Sequence, residues 1–132
     1  MSEVTPFNKH VGIERGPRGE GRAEMTLTID GRHVNKRGVA HGGVLSTLLD
    51  SALGGAVVSA IRPEEWCATM SLAVQFLDGP RTGDHVVARG EVRKRGKRIA
   101  FARGEAVRES DGRVLATAEG VWYIWPQKPP EK

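Results

Sequence analysis

Three consecutive strand-like segments carry almost no bulk on one face. Ala88 and Gly90, then Ala100, Ala102, Gly104 and Ala106, then Ala116, Ala118 and Gly120 stand at alternating positions. Successive side chains of a strand point to opposite sides, so these residues line one face of a sheet on which another element can lie very close. The element available is the one strongly helical stretch. Leucines and small residues recur at 45, 48, 49, 52, 53, 56 and 57, the i, i+3, i+4, i+7 spacing of an amphipathic helix. Seventeen glycines among 132 residues sit inside patterned segments rather than in a repeat or linker, which argues for close backbone packing.

After the helix the chain reads as strand to its end. WCATMSLAVQFL, DHVVARGEVRK, KRIAFARGEAVRE and RVLATAEGVWYIW are parted by turn signals at Asp78-Gly79-Pro80, Arg95-Gly96 and Asp111-Gly112, which predicts four strands in an antiparallel meander. Upstream, VTPFNKHVG suits a short opening helix. GIERGPRGEGRAEMTLTID supplies two extended pieces around GPRGEG, the second alternating Ala23, Met25, Leu27 and Ile29 against Glu24, Thr26 and Thr28, as a hairpin or a bulged long strand. Loop signals dominate from Asp30 to Ala40. The expectation is an α+β fold in which one long central helix is wrapped by a curved antiparallel sheet of about five to six strands. It forms a single domain over residues 1–125, followed by a solvated tail over 126–132. A sheet this small leaves its edges open, so two copies are expected to pair through strand edges.

Composition narrows the function. Hydrophobic residues make up 39% and charged residues 27% of the chain. No apolar run approaches the roughly 20 residues of a bilayer span, and MSEVTPFNKH has the features of neither a signal nor a transit peptide. The expected location is the cytoplasm, with no membrane partner. A single cysteine, Cys67, forms no internal disulfide, and four scattered histidines have no zinc-ligand spacing, so neither a metal nor a cofactor is expected. The net charge of +4 points to anionic partners. Its excess is local: eight basic residues lie between Arg89 and Arg108, against Glu91 and Glu105. The segment RKRGKR, residues 93–98, is a hairpin tip at which Arg95, Lys97 and Arg98 are candidates to grip phosphates. No aromatic residues interleave with these charges and no recognition helix is visible, which excludes nucleic acid as the expected partner. Trp66, Trp122 and Trp125 read as core or interface residues.

The stretch HVNKRGVAHGGVLSTLLDSALGG, residues 33–55, places one carboxylate, Asp50, on the helix beside Gly43, Thr47 and Gly54 and away from the leucine stripe. This second face is glycine-rich rather than charged, and aspartate has no propensity reason to sit in mid-helix. His41-Gly42-Gly43 falls at the helix start, where backbone N–H groups lack internal partners and the dipole is positive, as a polarised carbonyl oxygen requires. Asp50 lies two turns on, near enough along the axis to suggest one reactant bridging both. Asn35 stands ready to orient it. His41 taken alone reads as a helix cap or a loop hydrogen bond.

Asn35, five residues, His41-Gly42-Gly43, six residues, Asp50 resembles the signature of hotdog-fold acyl-CoA thioesterases of the phenylacetate-pathway and thioesterase-superfamily-member-2 type. The order of strands, one long helix and four strands is similar across nearly the whole chain. The resemblance implies that Gly42 supplies the N–H that polarises the thioester carbonyl, with His41 and Asn35 shaping that end and Gly43 and Val44 near the substrate. Asp50 is implied as nucleophile or as general base for water. The polar residue on the next strand matches Thr69, with Ser71 expected on the same side; Val44, Leu48 and Thr69 are expected to wall the acyl pocket. Related enzymes of the glutamate type can carry a hydroxyl one turn beyond the carboxylate, where this chain has Gly54, which throws weight onto Thr69. The resemblance also implies a homodimer with active sites shared between subunits, assembling as a dimer of dimers (a homotetramer), and an acyl-CoA substrate gripped at the basic hairpin. Two rivals are a non-catalytic acyl-CoA-binding module, which would lack the carboxylate, and a hydratase, which would need a different active-loop motif.

Overall fold

A computed structural model describes residues 4–130; residues 1–3 and 131–132, at the ends of the expected domain and tail, lie outside it. The opening helix α1 (Pro6–Val11) is capped by Thr5 and stops at Gly12, whose φ of 93° favours glycine. A hairpin follows, β1 (Glu14–Gly19) and β2 (Arg22–Thr28). Its turn falls at Glu20-Gly21, so most of the GPRGEG expected to lie between two extended pieces belongs to β1, which carries a register shift between Arg15 and Arg18. The long helix α2 (Gly42–Ala60) is succeeded by β3 (Trp66–Phe76), β4 (His85–Arg95), β5 (Ile99–Arg108) and β6 (Val114–Trp125). Past Trp125, residues 126–130 are exposed and carry neither helix nor strand.

The six strands form one antiparallel sheet in the order β1-β2-β4-β5-β6-β3. The expected meander therefore holds for β4, β5 and β6, while β3 pairs with β6 at the far edge and β2 takes its place beside β4. The Asp78-Gly79-Pro80 turn signal belongs to a connection over residues 77–84, longer than a hairpin loop, which lets the chain return across the sheet. That connection is anchored by Leu77 and Asp78 N–H groups donating to the Leu115 carbonyl and by Ala40 N–H donating to Pro80 O at 2.8 Å.

The small face does what its composition implies. Ala88, Ala100, Ala102, Ala106 and Ala116 are buried under α2, with Leu48, Leu49, Ala52, Leu53, Ala56 and Val57 wholly buried on the helix side. At Gly90 a Cβ would stand 2.7 Å from the Ala52 carbonyl oxygen and 2.9 Å from Leu53 Cα, so the helix backbone rests directly on this strand. Among the described residues α2 is the one helix long and apolar enough to cross a membrane, a nineteen-residue run that the composition argument passed over. In the fold its apolar stripe is the core. The outer face of the sheet is charged, with Arg103 bonded to Glu91 at 3.0 Å and Arg89 near Glu24 at 3.5 Å.

Candidate active site

Asp50 and Thr69 meet. Thr69 Oγ1 donates to Asp50 Oδ1 at 2.8 Å, joining the middle of α2 to β3. The second carboxylate oxygen has no partner among the described residues. Thr69 faces the helix because its cross-strand partner is Trp122, a core residue 1% exposed, and paired residues share a face. Between Thr69 and Ser71 the register slips by one residue at Met70. Ser71 pairs with Val121 and lies exposed on the outer face, so the expectation that it shares the side of Thr69 is overturned: a bulge breaks the two-residue alternation. Trp122 also belongs to this surroundings. Its indole Nε1 stands 3.5 Å from the point a Cβ on Gly54 would occupy.

At the helix start, His41 is the N-cap: its Nδ1 accepts from the Gly43 N–H at 3.0 Å. The Gly42 N–H finds no acceptor among the described residues and points out of the helix N-terminus. Phe76 of β3, 55% exposed, packs against Gly42, with its Cε1 3.3 Å from where a Cβ would be. Asn35 spends its side-chain oxygen on the loop, accepting from Arg37 N–H at 2.8 Å and Val39 N–H at 3.2 Å, which leaves its amide donors for another partner. Val44 is half-buried at the margin of the core, and Thr47 Oγ1 donates to the Gly43 carbonyl at 2.8 Å. Leu48 is wholly buried in the core and walls no pocket, a correction to the sequence reading. A further correction concerns reach. Gly42 and Asp50 are eight residues apart, about 12 Å along the axis, and the Gly42 N–H aims away from Asp50. A carbonyl held about 3 Å from its donor and attacked from about 3–3.5 Å cannot bridge that gap within one chain.

The basic hairpin divides in use. Glu65, buried at the α2–β3 connection, accepts from Arg62 N–H at 2.8 Å and from Arg95 Nη2 through the same oxygen. The Arg62 N–H first, then the Arg95 guanidinium, hold its carboxyl below the usual range against the opposing effect of burial. Arg95, whose Nη1 also donates to the Gly96 carbonyl at 2.8 Å, thus fastens the hairpin rather than presenting a free charge. Lys97 is exposed and Arg98 half-buried, its guanidinium donating to the Lys97 carbonyl at 3.5 Å. A concavity of about 990 Å³ lies on the outer sheet face among Arg89, Arg103, Glu91, Glu105 and Glu119. It is on the other side of the sheet from Asp50. Sequence reasoning missed Phe76 and Glu65 and passed over Trp122 as core; only the bulge at Met70 brings Phe76 onto the helix side, and nothing local announces that.

Comparison with known proteins matches residues 37–115, more than half the chain, to the thioesterase superfamily. A proposed esterase of Pseudomonas aeruginosa, PA0474, is 39% identical over 100 residues, 76% of this chain and 73% of that protein. Mouse acyl-coenzyme A thioesterase 13 is 26% identical over 90 residues, 68% of this chain and 64% of that protein. Among solved structures, the Escherichia coli PaaI protein from the phenylacetic acid degradation operon superposes with a TM-score of 0.87 at 25% identity, covering 94% of this chain and 87% of that one.

Proposed function

The chain belongs to the thioesterase superfamily and is a thioester hydrolase of the hotdog fold, and on that premise we propose that it hydrolyses an acyl-CoA to the free acid and CoA at a site built from two copies of itself. The observation that carries the reading is the pair of incomplete halves. One end of α2 offers an unspent N–H at Gly42, and its middle offers a carboxylate steadied by Thr69, too far apart to serve one carbonyl unaided. A second copy placed in antiparallel register supplies each half with its complement. The β3 edge suits that pairing, since Trp66, Met70, Phe76 and Leu77 leave large apolar surfaces exposed along it.

In this site the Gly42 N–H of one chain donates to the thioester oxygen, with Asn35 and His41 shaping the same end, and Asp50 of the other chain acts at the carbonyl carbon. The carboxylate either attacks that carbon or takes the proton of the attacking water. In both routes the C–S bond breaks, the electron pair leaves on sulfur as CoA thiolate and water supplies the second oxygen of the acid. The CoA part of the reading is supported by the acyl-coenzyme A thioesterase among its relatives and by the exposed Lys97 beside the half-buried Arg98.

The test is release of CoA thiol from a panel of acyl-CoAs by wild type and by Asp50→Asn. The expected outcome is turnover by wild type and a loss in kcat of about 100-fold or more in the variant, the usual cost of removing a nucleophile or base. Binding without thiol release would make the protein an acyl-CoA-binding module instead.

A further inference from the structure

His33 is buried, its side chain 3% exposed, and the site described above makes no use of it. Both ring nitrogens are engaged. Nδ1 accepts from the Asp30 N–H at 2.9 Å, which puts the ring proton on Nε2, and Nε2 donates to the Val11 carbonyl at 2.6 Å. The Asp30 carboxylate, 3.3 Å from Nδ1, is taken up by the backbone N–H and the Nε of Arg32. Val11 ends α1, and the last carbonyls of a helix have no partner within it. The neighbouring one, His10 O, accepts from Arg32 Nη1 at 2.7 Å. α1 is in turn fastened to α2 by the buried Asn8, whose amide donates at 3.0 Å to Ser51 Oγ, on the residue after Asp50. The root of the loop is thereby braced against the middle of α2.

What the ring holds is a closed hairpin. The His41 N–H donates to the His33 carbonyl at 2.9 Å and the Asn35 N–H to Val39 O at 2.8 Å, while Val34 bridges Ala40. Its far strand leans on the 77–84 connection through the Ala40 N–H and Pro80 O, so the His33 ring sets the near strand. Packing contributes little there, since only Ala40 among residues 34–40 is buried. A shift of His33 therefore carries Asn35, two residues on, and His41, whose extended backbone aims the first N–H groups of α2. Resting on the reading above, we propose that His33 is a positioning residue for the half of the site that holds the thioester oxygen. Its ring touches no substrate. It fixes the Asn35 amide relative to the Gly42 N–H, the donors assigned to one carbonyl, and such donors act only where the developing charge will stand. Misplacing them by about 1 Å can cost up to about 100-fold in rate.

The experiment measures kcat, KM and Tm on the best acyl-CoA for His33→Leu, His33→Asn and His33→Gln, each made in wild type, in Asn35→Ala and in Thr69→Val. Leucine fills the space without either hydrogen bond, asparagine keeps an acceptor for the Asp30 N–H, and glutamine keeps a donor for Val11 O. In wild type His33→Leu should lower kcat about tenfold or more with KM little changed, and the two polar variants should recover part of the loss. In Asn35→Ala the same change should cost less than about threefold, because the group it positions is gone, whereas in Thr69→Val it should cost the full amount. Tm should fall equally in all three backgrounds, which separates positioning from stability. His33→Asn and His33→Gln carry the same comparison if the leucine variant does not fold. An equal loss of kcat in wild type and in Asn35→Ala overturns the positioning role alone, as does a fall in Tm with kcat unaltered. Full activity in Asn35→Ala removes Asn35 from the site and the proposal with it. Absence of CoA release by wild type overturns the reading itself and everything resting on it.

Discussion

Thr69 shows how one hydroxyl can matter out of proportion to its burial. Its bond to Asp50 fixes one carboxylate oxygen on β3 and leaves the other oriented for work. Replacing it with valine keeps shape and removes the donor, so Thr69→Val should lower kcat about tenfold, or about 1.4 kcal/mol, within the range for a hydrogen bond to a charged group. KM should change little, and Thr69→Ser should recover most of the loss; steady-state kinetics on the best acyl-CoA checks both. A fall in Tm with unaltered kcat would instead make the bond purely structural. At this scale the sequence was legible where spacing and chemistry agreed. Asp50 stood off the leucine stripe, the resemblance implied Thr69 on the following strand, and the two do meet. Ser71 was misassigned because a single extra residue at Met70 reverses every side chain beyond it, and Leu48 because a residue at the core margin and one in the core look alike in a periodic pattern.

Elements were legible as segments and less so as neighbours. The long helix and the strands after it lie where their patterning put them, yet β1 runs through the GPRG read as lying between strands, and β3 was expected beside β4 and lies beside β6. All four late segments read alike as strands, so their pairing was read from the turn signals between them, and the one at Asp78-Gly79-Pro80 belongs to a longer connection. The basic hairpin between β4 and β5 has a similar lesson. Its charges read as equivalent, but the buried Glu65, thirty residues earlier in the chain, claims Arg95 and leaves Lys97 and Arg98 for a ligand. Changing Lys97 and Arg98 together to alanine should raise KM for acyl-CoA ~5-fold or more with kcat unchanged, since contacts to a remote group stabilise ground and transition states alike. The corresponding acyl-pantetheine, lacking the nucleotide phosphates, should show no KM change. Equal increases with both substrates would remove the hairpin from CoA binding. Arg95→Ala should behave differently, lowering Tm, because it strips a partner from the buried Glu65.

As a whole molecule the chain presents two half-sites and an unpaired apolar edge, and the account stands on their being completed by a second copy. The substitution that isolates this is Gly42→Pro. Gly42 is the first helical residue, where proline is well tolerated, and His41 before it is already extended at φ −62° and ψ 138°, as a residue preceding proline should be. Only the N–H is lost, with an exposed Phe76 ring moving aside for the new ring. Gly42→Pro and Asp50→Asn should each be folded and nearly inactive. After reversible dissociation and mixing at equal concentration, about half of the dimers should be mixed, each with one doubly damaged and one intact site, as isologous two-fold pairing requires. The measurement is CoA release by that mixture, with subunit exchange verified by mass spectrometry. The account predicts recovery to roughly a quarter of wild-type activity; complete exchange with no recovery would place Gly42 and Asp50 in one chain's site and contradict it.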